Sequence, residues 1–374
     1  MTIQEEIPLA PLTTLRVGGR ARYFAELKRE HEVREAVQFA KNRDLPLFIL
    51  GGGSNLVVAD SGWPGLVLRI AIGGTATPTT DGAGNAVLFS VGAGVDWDDF
   101  VAQAVVQNCA GVECLSGIPG SVGGTPVQNV GAYGQEVSDT IESVRVFDLK
   151  DDRIVVLPKP ACGFRYRSSV FNTTERGRYI ILRVNYRLKR GGAPSLKYDD
   201  LQKYFAERVV MNSTEKKMPS LAEVREAVRE IRRSKGMLIV AGDEDCRSAG
   251  SFFKNPILTE AAFEDLAARA AAKGLEIPSY PALDAQHKIS AAWLVEHSAF
   301  SKGYVAGAAG VSHKHALALI NRGEAKAGDI ISLKDQIQNG VRETWGIGLE
   351  PEPVHDCDAM VIRFTGTQMG TDGR

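Results

Sequence analysis

Apolar residues recur at helical spacing between Glu30 and Arg43, where Val33, Ala36, Val37 and Ala40 share one face, and the pattern predicts an amphipathic helix. The apolar run 46–50 then reads as a buried strand, followed by the turn Gly51-Gly-Gly-Ser-Asn55 and a second short strand at 56–58. Runs at 66–70 and 87–91 are also strands, each followed by a glycine turn. A second helix is expected from about Asp98 to Asn108, with Phe100, Val101, Ala104 and Val105 inward. From Ile141 to Leu157, and again from Tyr179 to Leu188, the apolar period falls to two, the spacing of a pleated strand.

A turn at 191–195 follows, and then Ser220 and Glu223 stand at capping-box spacing before a helix whose Leu221, Val224, Val228 and Ile231 point inward. Near residue 236 the texture changes. An alanine-rich helix is expected at 259–273, ending at Gly274, and further helices at 290–297, 314–321 and 329–345. In the last of these, Ile330, Leu333, Ile337, Val341 and Trp345 make an unbroken stripe, the mark of a core-facing helix. Strands alternating with helices predict an α+β or α/β class, and the change in texture predicts a separate helix-rich domain towards the C-terminal end.

Composition narrows this further. The 374 residues are 44% hydrophobic and 24% charged, as in ordinary globular proteins of two or three domains. Lys+Arg number 44 against 45 Asp+Glu, so no global field favours nucleic acid or an anionic membrane, and an anion must be held by local groups. The five cysteines (Cys109, Cys114, Cys162, Cys246, Cys357) are odd in number, scattered and never spaced Cys-x-x-Cys, which predicts reduced thiols rather than disulfides or a zinc site. The start, Met1 to Glu6, has neither a basic nor an apolar leader region, and no run approaches the ~18 apolar residues of a membrane span; a cytoplasmic location is expected.

The 39 glycines cluster at 51–53, 73–74, 92–94, 117–124 and 131–134. Neither the Gly-x-Gly-x-x-Gly dinucleotide fingerprint nor the phosphate-binding Gly-x-x-x-x-Gly-Lys-Ser/Thr loop occurs. Consecutive backbone N–H groups in glycine turns can still form concave nests for phosphate oxygens, and the loops 51–55 and 117–124 could clamp the two halves of a pyrophosphate. The same clusters also fit a β-rich domain with many tight turns.

Taken in order, Thr14-Leu-Arg-Val-Gly-Gly19, Leu50-Gly-Gly-Gly-Ser-Asn-Leu56, Gly117-Ile-Pro-Gly-Ser-Val-Gly-Gly124 and Gln128-Asn-Val-Gly-Ala-Tyr-Gly134 resemble the FAD-binding region of the UDP-N-acetylenolpyruvoylglucosamine reductases (UDP-N-acetylmuramate dehydrogenases). The resemblance continues through Tyr166-Arg-Ser-Ser-Val-Phe171, Leu196-Lys-Tyr-Asp-Asp-Leu201, Ala249-Gly-Ser-Phe-Phe-Lys-Asn-Pro256 and Leu349-Glu-Pro-Glu352, and so spans roughly residues 12–352. It implies the FAD-binding fold of the vanillyl-alcohol oxidase and p-cresol methylhydroxylase type, with subdomains at 1–72 and 73–235. A helix-rich α+β substrate domain at 236–350 and a C-terminal segment at 351–374, polar and glycine-tipped, would follow. The implied reaction is reduction of UDP-N-acetylglucosamine enolpyruvate to UDP-N-acetylmuramate for peptidoglycan synthesis, with non-covalent FAD, NADPH as hydride donor and a monomeric enzyme. Retention of the Leu196-Lys-Tyr-Asp-Asp insertion is similar to the longer-loop (type I) subgroup.

By the same resemblance, FAD would contact Gly51, Gly52, Gly53, Ser54, Asn55, Gly117, Pro119, Gly120, Ser121, Gly123, Gly124, Asn129 and Gly131. Substrate would contact Tyr133, Tyr166, Tyr198, Lys235, Lys254, Asn255 and His315. Ser251 is implied as the proton donor, although its segment also reads as a core strand carrying Phe252 and Phe253. Arg167 is implied as the partner of charge developing on the substrate carboxylate; on its own it also reads as a surface residue beside Arg165. Glu352 is implied to polarise that carboxylate as a protonated acid. The chain departs from the family pattern after it, with Pro353-Val354-His355 in place of Val-Arg. No metal is expected, since His313 and His315 lack a neighbouring carboxylate in sequence. Two rival functions are an FAD oxidase of the same fold and an inactive nucleotide-sugar-binding relative. Ser54 and Asn55 after the glycine run, where covalent oxidases often carry histidine, favour non-covalent flavin.

Overall fold

The computed structural model describes residues 1–212, 218–282 and 285–355. The tail 356–374, with Cys357, lies outside them. The first predicted helix forms as α1 (Glu30–Lys41), with Val33, Ala36, Val37 and Ala40 buried. It connects strands of a four-stranded sheet ordered Gln4–Pro8, Arg20–Leu27, Trp63–Ile70, Leu47–Leu50. The last three run parallel, and the first is an antiparallel edge. Along Trp63–Ile70, Leu66 and Leu68 enter one apolar cluster and Val67 another, because successive side chains leave a strand on opposite faces.

A second, antiparallel sheet is ordered Arg153–Pro158, Ile141–Asp148, Tyr179–Arg190, Ala86–Gly92, Thr79–Thr80, and Cys109–Ala110 also pairs with Tyr179–Arg190. Helix α2 (Trp97–Val106), capped by Asp96, lays Trp97 and Phe100 against Tyr186 of this sheet. One apolar cluster runs from α1 through both sheets to α2, so the two sheets share a core.

Helix α3 (Asp199–Asn212) begins inside the Leu196–Leu201 insertion and was not foreseen from the pattern. Helix α4 (Leu221–Ser234) has the predicted capping box, with Ser220 Oγ accepting the Glu223 N–H at 3.2 Å. Asp98, in the first turn of α2, joins these parts: it pairs with Arg225 and Arg229 of α4 and accepts the Gly117 N–H at 2.6 Å.

The C-terminal region carries α5 (Glu260–Ala271), α6 (Ala291–Glu296) and α7 (Ala327–Trp345), with two three-stranded sheets. All five residues of the predicted α7 stripe are buried. The helix expected at 314–321 does not form. Ser312 Oγ accepts the N–H groups of Lys314 and His315, closing a turn, and Leu319–Asn321 is a strand. A short strand buried on both faces carries no alternation to distinguish it from a helix.

Polar contacts fasten this region to the loops of the first sheet. Thr14 Oγ1 donates to Ser248 O at 2.6 Å, and Asn321 Nδ2 donates to Leu15 O at 3.2 Å. Asp60 accepts the N–H groups of Ala327 and Gly328 at 2.8 and 3.1 Å, a carboxylate on the positive end of α7. Cys109, Cys114, Cys162 and Cys246 are buried free thiols. Among the described residues no helix is long and apolar enough to cross a membrane.

Candidate active site

The two glycine loops press against each other. A Cβ on Gly52 would lie 2.5 Å from Gly120 Cα, and one on Gly53, at φ +66°, would lie 2.0 Å from Leu12 O. Ser54 Oγ donates to Pro119 O at 2.8 Å and ties the loops together. Between the two sheets they border a crevice with Gly51, Ser121, Gly123 and Gly124 on one side and Ile49, Ile70 and Ile181 as apolar walls. Ser121 Oγ is buried there without a hydrogen-bond partner among the described residues. An orphaned hydroxyl beside bare backbone fits a polar oxygen of a bound cofactor such as FAD.

Other predicted cofactor residues are engaged by the protein. Asn55 Nδ2 donates to Gln128 Oε1 at 2.7 Å. Asn129, at φ +47°, donates to Glu136 at 2.7 Å and Arg165 O at 3.0 Å, and it accepts the Ser138 N–H. Gly131 O accepts from Arg167 Nη2 at 2.9 Å.

Glu352 reaches the site on an extended segment threaded between the Ser251 stretch and the first glycine loop. Lys254 N donates to Glu350 O at 2.9 Å, Glu352 N to Phe252 O at 2.9 Å, and Val354 N to Asn55 O at 3.0 Å. Val354–His355 then pairs in parallel with Leu56–Val57. Pro353 is buried between two residues whose N–H groups make these bonds, so its missing donor leaves this seam intact. The departure from the family pattern is thus accommodated in the backbone.

The carboxylate of Glu352 meets Arg167 Nε at 3.2 Å and Gln128 Nε2 at 3.2 Å. Arg167 and Glu352 are 20% and 13% exposed, which sets aside the surface reading of Arg167. Arg167 sits at φ +53° in the tight turn 165–168, a conformation costing about 1–3 kcal/mol for a non-glycine residue. Asn172 Nδ2 holds its carbonyl at 3.3 Å.

Phe252 and Phe253 are both 1% exposed and anchor the Ser251 stretch, so the core-strand features of this segment accompany its place in the site. Ser251 Oγ lies 3.2 Å from His315 Nε2. Burial, followed by the charges of Lys235, Lys302 and Arg232, pushes the His315 pKa down from 6.5 to about 4, so the ring is neutral at pH 7.

The predicted substrate residues divide. Tyr133 packs edge-on to Tyr198 at 5.4 Å, and Lys235, at the end of α4, pairs with Asp200 at 2.6 Å. Burial pushes the Tyr133 phenol up to about 12. The Tyr166 ring lies 5.5 Å from the Arg167 guanidinium and 5.6 Å from Lys288 Nζ. Lys254 instead pairs with Glu350 at 2.5 Å, and Asn255 Oδ1 accepts the Ala291 N–H at the start of α6. Two residues were missed. Gln128 stands in the Gln128–Gly134 motif but had no assigned role. Arg232 is a buried guanidinium donating to Gly117 O at 3.0 Å, and its signal was a charge on the apolar stripe of α4.

Residues 21–157 match the FAD binding domain, and residues 242–355 match the C-terminal domain of UDP-N-acetylenolpyruvoylglucosamine reductase. The chain is 44% identical over 352 residues to the UDP-N-acetylenolpyruvoylglucosamine reductase of Thermobifida fusca, covering 93% of this chain and 96% of that one. It is 44% identical over 354 residues to that of Streptomyces avermitilis, covering 93% of each. The crystal structure of the Thermus caldophilus reductase superposes with a TM-score of 0.63 at 25% identity, covering 95% of this chain and 99% of that one. With the cofactor cradle, the Arg167–Glu352 pair and the Ser251 stretch in one site, the chain belongs to the UDP-N-acetylenolpyruvoylglucosamine reductase family.

Proposed function

We propose that this protein reduces UDP-N-acetylglucosamine enolpyruvate to UDP-N-acetylmuramate in peptidoglycan precursor synthesis, using NADPH and non-covalent FAD. The observation that carries the reading is the Arg167–Glu352 pair, bonded through the Glu352 backbone to the residue next to Ser251. Residues 1–72 and 73–235 hold the cofactor, with Ser121 and the backbone of the two glycine loops on its polar oxygens. Residues 236–350 bring the substrate to it.

The glycine loops 51–55 and 117–124 would hold FAD, which, reduced by NADPH, would supply the hydride taken up at the terminal carbon of the enolpyruvyl group. The remaining steps belong to the chain. Arg167 orients the substrate carboxylate with its planar fork and stabilises the charge that spreads onto it. Glu352, steadied by Gln128, takes the opposite side of that carboxylate. The carbon next to the carboxylate then takes the Ser251 hydroxyl proton: a C–H bond forms, the O–H bond breaks, and the negative charge passes from substrate to Oγ. A serine hydroxyl is a weak acid, but a carbanionic centre held in line with it is a strong base. Tyr133, Tyr198 and Lys235 lie together on the side of His315 and take the nucleotide-sugar end.

Anaerobic stopped-flow at about 450 nm tests the reading, with NADPH added first and the enolpyruvyl substrate second. Bleaching followed by rapid recovery is expected. Recovery on admitting oxygen, but not on adding substrate, would replace it with the oxidase function.

A further inference from the structure

We propose that His315 is a positioning residue for proton transfer: its Nε2–H donates to Ser251 Oγ and thereby aims the serine's own hydrogen at the substrate carbon. This rests on the reading of Ser251 as the proton donor.

A hydroxyl carries one hydrogen and two lone pairs, and a neutral imidazole carries one N–H and one bare nitrogen. At 3.2 Å the contact between Ser251 Oγ and His315 Nε2 can therefore run either way. If Nε2 were bare, the serine hydrogen would point at the ring and be lost to the substrate. If Nε2 carries the hydrogen, the serine hydrogen is free and a lone pair of Oγ is fixed. A ring held neutral by burial first, and then by Lys235 just past the end of α4, Lys302 from the loop before the Val305–Ala306 strand and Arg232 of α4, has a single N–H to place. Those cations also favour the charge that remains on Oγ after transfer. His315 loses no proton in the step; Oγ recovers one from bulk water. The backbone fixes both partners independently of substrate, because Phe252 N donates to Leu317 O at 2.8 Å and Ser312 Oγ accepts the His315 N–H at 3.3 Å.

The test uses the FAD-loaded protein. Nitrogen-15 NMR of the histidine rings, recorded without turnover, should show the Nε2–H tautomer for His315, with that signal shifted by Ser251→Ala. In stopped-flow, His315→Ala should slow flavin reoxidation at saturating enolpyruvyl substrate about 10- to 100-fold, while flavin reduction by NADPH stays within about twofold. His315→Gln, whose amide can present an N–H to Oγ, should recover most of that rate. The Nδ1–H tautomer would overturn the proposal. So would a His315→Ala effect confined to substrate affinity, with the saturating rate intact. If Ser251→Ala itself leaves reoxidation fast, the assignment of Ser251 as proton donor fails, a result distinct from either outcome at His315.

Discussion

The glycine-loop crevice and the Arg167–Ser251–Glu352 cluster, proposed above as cofactor cradle and proton-transfer site, are built by opposite means. In the cradle, two glycine loops approach so closely that a single added carbon on Gly52 would meet the backbone of Gly120, and the binding groups are main-chain atoms with one serine hydroxyl. In the cluster, the working groups are side chains from far-separated stretches: Arg167 in a strained turn, Ser251 beside two buried phenylalanines, and Glu352 on the final strand seam. The cradle is therefore sensitive to volume and nearly indifferent to charge. The cluster is sensitive to the chemical groups themselves: a donated proton, a charge, or the geometry in which that charge is presented.

Substitutions can break that contrast in graded steps. Ser251→Ala removes one oxygen from the cluster, and turnover should fall about 10²- to 10⁴-fold with flavin reduction by NADPH and flavin content retained. Stopped-flow of the two half-reactions checks this, and equal losses in both would contradict the assignment. Arg167→Lys keeps the charge but not the fork, and should cost about 10²- to 10³-fold in reoxidation rate. Gly53→Ala should do the reverse. Its Cβ would lie 2.0 Å from Leu12 O, and the resulting shift should weaken FAD binding about 100-fold, seen as colourless protein after gel filtration, with the Arg167 cluster unchanged in sequence.

Smaller effects sharpen the comparison. Asp98 couples the second glycine loop to α4; burial opposes its charge, but Arg225, the Gly117 N–H and Arg229 outweigh it and hold the carboxyl below its usual 3.8. Its stabilising effect is complete above that value and is lost as pH falls through the lower folded value. Asp98→Asn should cost about 2 kcal/mol at neutral pH in urea unfolding. His315 has the opposite charge type with the same outcome in acid. Its folded pKa of about 4 lies below the usual 6.5, so the unfolded chain takes up the proton first and stability declines as pH falls from 6.5 towards 4. His315→Gln should flatten that part of the stability profile, which urea unfolding across this pH range would show.

Legibility in the sequence followed the same division. The stripes of α1, α4 and α7, the alternation of the second sheet and both glycine loops could be read locally, because each is set by residues within a few positions of one another. Lys314–Asn321 misled because Ser312 closes a turn where apolar spacing suggested a helix. Helix α3 was missed because its apolar face is weakly marked. Gln128 was overlooked because its partner, Glu352, lies 224 positions away, and no local period reports what will cover a face. Arg167 and Glu352, 185 positions apart, each entered the reading through family likeness rather than through the pattern, and their contact with each other was not anticipated.

The threading of Glu352 between the Phe252 carbonyl and the Asn55 carbonyl has a consequence for the order of biosynthesis. On the ribosome, both glycine loops and their sheets are available to fold long before this residue leaves the exit tunnel. A nascent chain can thus form the crevice of the two glycine loops well before Glu352, the carboxylate proposed for the reaction, arrives. Translation itself would keep the growing polypeptide chemically silent until the closing strand docks.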